Sequence, residues 1–229
     1  MKSLIFGASG GLAEAIAQAL LARKWHVDLV TRKTRQNALE QKFQNAVRGN
    51  HVRVFAVDRK YSSFNPELPC DAYFFTQALF SPKPLVAMED AEIAQEIEVG
   101  LVDVIQLVRR LLSQHPPDTG ERRDYCFIGS TSAYAGFRNT SVYCAVKHGL
   151  LGFVRAMNDE YAHTNARFWL FSMGTMDTEM GRRLTEQDRS SFLQPTDVAG
   201  RIVEAICSDS NIFEPEVVLR RRTIRFLEK

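Results

Sequence analysis

Three side chains have the types and spacing for acid–base work on an oxygen atom. Tyr143 and Lys147 stand four apart in Tyr143-Cys144-Ala145-Val146-Lys147, and Ser130 lies 13 residues before Tyr143. On a helix, residues i and i+4 share a face, so phenol and ammonium become neighbours. A free phenol has a pKa of ~10 and is a poor proton shuttle near neutrality. A nearby ammonium favours the phenolate and lowers that value. The pair can then give a proton to a carbonyl oxygen or take one from an alcohol. A hydroxyl at Ser130 can hydrogen-bond the same oxygen and stabilise charge developing on it.

A second group of residues suits a phosphate. Phe6-Gly7-Ala8-Ser9-Gly10-Gly11-Leu12-Ala13 follows an apolar run and opens a helical pattern. Glycine permits a tight turn and lets an anion approach the backbone. The helix start then offers free N–H groups and a partial positive charge. Gly7, Ser9, Gly10, Gly11 and Leu12 are the expected contacts. In dinucleotide-binding folds an acid at the end of the second strand binds the ribose hydroxyls. Here that strand ends Leu29-Val30-Thr31-Arg32-Lys33, and Asp28 falls earlier, inside it. Arg32 and Lys33 can pair with a 2′-phosphate, Arg by bidentate hydrogen bonds. The expected cofactor is therefore NADP(H), in preference to NAD(H).

Both groups need a scaffold. Short apolar runs at 3–6, 27–30, 52–57, 72–75, 125–128, 168–171 and 216–219 read as strands. Helical patterns over 12–24, 35–46, 91–112, 142–161 and 197–207 alternate with them. That alternation specifies an α/β fold: a Rossmann-type, doubly wound parallel sheet in a single domain over 1–229. Ligands in such sheets bind at the carboxyl ends of the strands, where the motifs fall. A formal charge of +2 argues against a nucleic-acid surface. No stretch approaches the ~20 apolar residues of a membrane helix, and the early glycine turn leaves no place for a secretory signal. Cys70, Cys126, Cys144 and Cys207 form no CxxC pair, and the histidines show no metal-ligand spacing. The expectation is a cytoplasmic protein with reduced thiols and no metal.

The segment from Gly129-Ser130-Thr131-Ser132 to Lys147 strongly resembles the active segment of the short-chain dehydrogenase/reductase family. Gly7, Gly11 and Ala13 resemble that family's Gly-x-x-x-Gly-x-Gly turn, with Ala at the third glycine and Phe6 where Thr is frequent. The likeness runs from Leu4 to about Leu219. It implies an oxidoreductase that reduces a carbonyl of a small substrate, or oxidises a secondary alcohol, by hydride transfer. Tyr143 would act as acid/base, and Ser130, with Ser132 as its rival, would steady the oxygen. Lys147 would lower the Tyr143 pKa and hold the nicotinamide ribose. Asp58 matches the family's adenine contact. Gly174 and Thr178 match the segment that wraps the nicotinamide, with Met173 in place of Pro and Trp169 where Asn is frequent. Thr76, Gln77 and Ala78 stand at the family's Asn-Asn-Ala, with Leu79 in place of the following glycine.

The family's fourth catalytic residue, an Asn, aligns with Glu98, whose carboxylate would change the charge near Lys147. The stretch 179–194 corresponds to a substrate lid, here short and polar, suited to an open site. Arg182 and Arg183 in it are candidates for an acidic substrate group. Arg220 to Arg222 read as a solvated edge. The family also implies a homodimer or homotetramer built through the helices at 91–112 and 142–161. Two other readings stay open. The departures at Thr76, Leu79 and Glu98 fit a catalytically weak or inactive NADP(H)-binding sensor or interaction protein of the same fold. A sugar-nucleotide epimerase or dehydratase shares the YxxxK chemistry, but 229 residues leave little room for its further domain.

Overall fold

The computed structural model describes residues 1–58, 60–67, 69–118, 120–208, 210 and 212–224. The last five residues of the expected domain, 225–229, lie outside the described residues. In chain order the elements are β1 (Lys2–Phe6), α1 (Gly11–Ala22), β2 (His26–Arg32), α2 (Gln36–Lys42), α3 (Gln44–Arg48), β3 (Val52–Val57) and β4 (Ala72–Phe75). Then come α4 (Asp90–Ile97), a π turn (Glu98–Val102), α5 (Asp103–Gln114), β5 (Arg123–Ile128), α6 (Ser141–Glu160), β6 (Ala166–Met173), α7 (Pro195–Ile206) and β7 (Glu216–Leu219). The strands form one sheet in the order β3-β2-β1-β4-β5-β6-β7. Every pairing is parallel. This is the doubly wound Rossmann-type sheet expected from the sequence.

Parallel strands are covered on both faces, so they read as continuous apolar runs. One face packs Ile5, Leu29, Phe74 and Phe171 against Ile16 and Leu20 of α1 and Ile202 and Ile206 of α7. The other buries Leu4, Tyr73, Tyr125 and Phe127 under Leu107 and Leu111 of α5 and Leu150 and Val154 of α6. On this second face the register stacks aromatic rings across strands. Phe6, Phe75 and Phe127 form one ladder, with centroids 5.6 and 4.7 Å apart. Tyr73, Tyr125 and Phe168 form another, at 5.1 and 4.7 Å. Such cross-strand pairs fix the register, because a slip of one residue would turn every ring to the other face.

The long helix expected over 91–112 is broken by the π turn, and the one over 35–46 is interrupted at Phe43. The π turn has a packing reason. At Gly100 a Cβ would fall 2.6 Å from Cγ1 of Val146, and at Gly149 one would fall 2.8 Å from Leu101. The two backbones approach where glycine allows it, and one widened turn absorbs the misfit. The helical arms α4–α5 and α6 each connect neighbouring parallel strands, so they run parallel to one another.

Candidate active site

The glycine turn sits where the strand order reverses, between β1 and β4. Gly7 has φ +77°, a left-handed value that glycine adopts without strain. A Cβ there would lie 2.6 Å from the Gln77 amide nitrogen. Two backbone N–H groups, of Gly7 and Ala8, donate to the Val30 carbonyl at 3.1 Å, tying the turn to β2. Thr76 closes it from β4: its hydroxyl donates to the Phe6 carbonyl at 2.6 Å and lies 3.2 Å from the Gly7 carbonyl. So Thr76 supports the turn rather than facing outward. Gln77 is buried, and neither side-chain amide atom has a hydrogen-bond partner. A tight glycine cradle beside a buried, unsatisfied carboxamide fits a nicotinamide dinucleotide, which brings phosphate and amide groups.

At the neighbouring strand ends, Arg32, Lys33, Thr34 and Asp58 line one surface cleft. Arg32 is half-buried and its guanidinium bears on the Tyr61 hydroxyl. Lys33 and Asp58 are exposed and 3.8 Å apart. Asp28 is excluded as a ribose acid: it is buried, and Arg53 grips both its oxygens at 2.8 and 2.7 Å.

Beyond β5, Ser130 begins a short 3-10 turn, and its Oγ accepts the Ser132 backbone N–H at 3.1 Å. Ser132 is buried and thereby fixes the Ser130 rotamer. Tyr143 and Lys147 lie on the first turns of α6, and the Lys147 Nζ is 5.5 Å from the Tyr143 ring centroid. Lys147 is 2% exposed and donates to the Ile128 carbonyl at 2.7 Å. Burial pushes the Tyr143 phenol up to about 12, opposed by its hydrogen bond with the Ser130 hydroxyl and assisted by the charge of Glu96. Burial brings Lys147 down to about 8, opposed by the same Glu96. The expected lowering of the Tyr143 pKa by Lys147 is thus corrected for the unliganded chain. Desolvation dominates both groups, and the ammonium is turned to a carbonyl.

Glu98 is corrected as well. It pairs with Lys60 at 2.5 Å, and the charge that bears on Lys147 is another acid's. The acid that reaches the site is Glu96, 2% exposed. Burial holds its carboxyl above the usual range, Glu92 adds to that, and Ser81 and Arg183 oppose it. Sequence reasoning missed it. Phe80 was missed too, and its ring meets the Tyr143 ring edge-on at 4.8 Å.

The lid joins this cluster. Arg183 donates to the Phe80 carbonyl at 2.7 Å, while Arg182 pairs with Asp177 at 2.7 Å. The Thr178 side chain packs on the glycine turn, 3.2 Å from where a Gly11 Cβ would be, and its hydroxyl accepts the Gly181 N–H at 3.1 Å. Gly174 donates its N–H to the Leu219 carbonyl at 2.9 Å. The solvated edge is corrected at Arg221, which is half-buried over the Phe192 ring.

A family model described as short chain dehydrogenase matches residues 78–189. Nodulation protein G of Rhizobium sp. (strain N33) is 27% identical over 212 residues, covering 89% of this chain and 85% of that protein. The 3-oxoacyl-[acyl-carrier-protein] reductase MabA of Mycobacterium bovis is 24% identical over 225 residues, covering 94% and 89%. In fold, the chain is similar to a 4-hydroxyisoleucine dehydrogenase mutant complexed with NADH and succinate (TM-score 0.80, 18% identity, 96% and 97% covered). It is likewise similar to ElxO with NADP bound (TM-score 0.79, 16% identity, 96% of each chain). With the matching sheet and the motifs in their places, the chain is similar to the short-chain dehydrogenases in the segment 78–189 and in its fold.

Proposed function

We propose that this chain is an NADP(H)-dependent reductase of a small carbonyl compound, working in reverse on the secondary alcohol. One observation carries the reading: the Ser130–Tyr143–Lys147 cluster lies at the same end of the sheet as the glycine cradle. The bound dinucleotide would supply the hydride. Gly7, Ser9, Gly10, Gly11 and Leu12 would hold its phosphates, Asp58 the adenine, and Arg32 and Lys33 the 2′-phosphate. Gln77, with Thr76, Ala78, Gly174 and Thr178 around it, would line the nicotinamide half. Ser130 and Tyr143 would both hydrogen-bond the substrate oxygen, and the Tyr143 hydroxyl would deliver the proton. Lys147, nearly free of water, would exchange its carbonyl partner for ribose hydroxyls and stabilise the phenolate left behind.

The cofactor choice rests on Arg32, half-buried at the tip of β2 with no acid in its place. The three buried free cysteines suit a reducing, cytoplasmic setting. Among the described residues no helix is long and apolar enough to cross a membrane. Titration with NADPH beside NADH, then turnover of a carbonyl panel, tests the proposal. Tyr143→Phe should reduce kcat/KM by about 10²–10⁴-fold while leaving NADPH affinity within a few-fold. A second reading, an NADP(H) sensor without catalysis, is favoured by Glu98: the side chain aligned with the family's fourth catalytic residue is engaged with Lys60. Tight NADPH binding with no turnover across the panel would select it.

A further inference from the structure

Glu96 is a buried acid whose polar neighbour is Ser81, with no arginine or lysine among the described residues in an ion pair with it. Its position follows from the helix pairing. Gly100 packs on Val146. Because α4–α5 and α6 run parallel, one turn earlier on the first arm lies against one turn earlier on the second. Glu96 is four residues before Gly100 and shares its face; Tyr143 is three before Val146. The carboxylate therefore stands opposite the phenol, with the Lys147 ammonium one turn further on. Phe80, edge-on to Tyr143, and Arg183, bound to the Phe80 carbonyl, join the cluster from the loop and the lid.

We propose that Glu96 is the resident counter-charge of the Tyr143–Lys147 pair, a positioning residue that keeps Lys147 an ammonium at neutral pH. The inference rests on the catalytic roles read above for that pair. A lysine without water loses its charge readily unless an anion faces it. The Ile128 carbonyl offers a dipole only, and the anion that bears on Lys147 from the packed elements is Glu96. Glu96 in turn is faced by Tyr143 and Lys147 from α6, by Arg183 from the lid, by Ser81 from the loop and by Glu92 on its own helix. Glu92 is occupied by Lys83 at 2.5 Å. The lid arginine thereby shares in setting the charge state of the site.

The test needs neither cofactor nor substrate, so it stands or falls apart from the proposed reaction. In protein labelled with 15N-lysine, the Lys147 Nζ signal is assigned by its loss in Lys147→Met and titrated. The Glu96→Gln variant should lower the Lys147 midpoint by on the order of one pH unit. Glu96→Asp, which retains the charge, should restore most of it. A midpoint in folded Glu96→Gln that stays within about 0.2 unit of the wild type overturns the proposal. Should that variant not fold, the reciprocal measurement decides. In Lys147→Met the Glu96 carboxyl carbon must titrate at higher pH than in the wild type; an unchanged midpoint overturns it.

Discussion

Lys147 ties chemistry to stability through a single nitrogen. Its ordinary pKa of 10.5 falls to about 8 in the fold because burial disfavours the ammonium. Below about pH 8 the lysine is charged in both folded and unfolded chains, and the folded state carries the whole penalty. Between pH 8 and 10.5 the unfolded chain binds the extra proton, so this group's contribution to stability rises with pH. The full span is on the order of 3 kcal/mol. Lys147→Met should therefore gain stability relative to wild type most at pH 7, with the gain shrinking toward pH 10.5 in denaturant melts. Arg32 supplies a second residue-scale outcome. Arg32→Ala should weaken NADPH binding by about 10-fold or more, as loss of a charge-assisted pair requires, while NADH binding stays nearly unchanged. Both residues were legible in the sequence, one from an i, i+4 pair and one from a missing acid. Glu96 was not, because nothing in a run of helix formers says which of three acids (Glu92, Glu96, Glu98) faces inward. That depends on helix phase, and the π turn resets the phase.

At the scale of elements, β3, β4 and β7 were legible to the residue, because continuous apolar runs end at turns and polar residues. The other strands extend further than their apolar cores, since hydrogen-bonded pairing continues through His26, Thr31 and Arg123 whatever their polarity. The break in the long helix was illegible. No residue in the run marks a break, and the approach of Val146 to Gly100 explains it. The β1–α1 turn is the most constrained element in the site. Gly7→Ala would place a methyl 2.6 Å from the Gln77 nitrogen at a left-handed φ. It should cost about 1–3 kcal/mol in chemical denaturation and abolish NADPH binding together with it.

Across the whole molecule the two aromatic ladders and the two helical layers leave few apolar groups uncovered. Ile97 and Ile105 are exceptions at 37% exposure each, on the outer side of α4–α5. Ile97 stands just before the π turn and Ile105 just after it. They stand on a helix expected to join subunits, and sedimentation should find a dimer or tetramer that Ile105→Glu dissociates. A monomer at all concentrations would refer these side chains to another role.

Glu96 and Asp103 are seven residues apart. On a regular helix that interval nearly completes two turns, with a drift of only about 20°. Two buried carboxylates would then share one stripe and repel. The widened turn between them ends that alignment. Asp103 is free to cap the backbone N–H groups of Tyr61 and Ser62 at 2.9 Å, and Glu96 is left for α6. One surplus residue in a helix thus lets a single segment carry two acids into separate parts of the interior. Excising a residue from 98–102 would bring those acids back into line, so that one of them must give up its place in the interior.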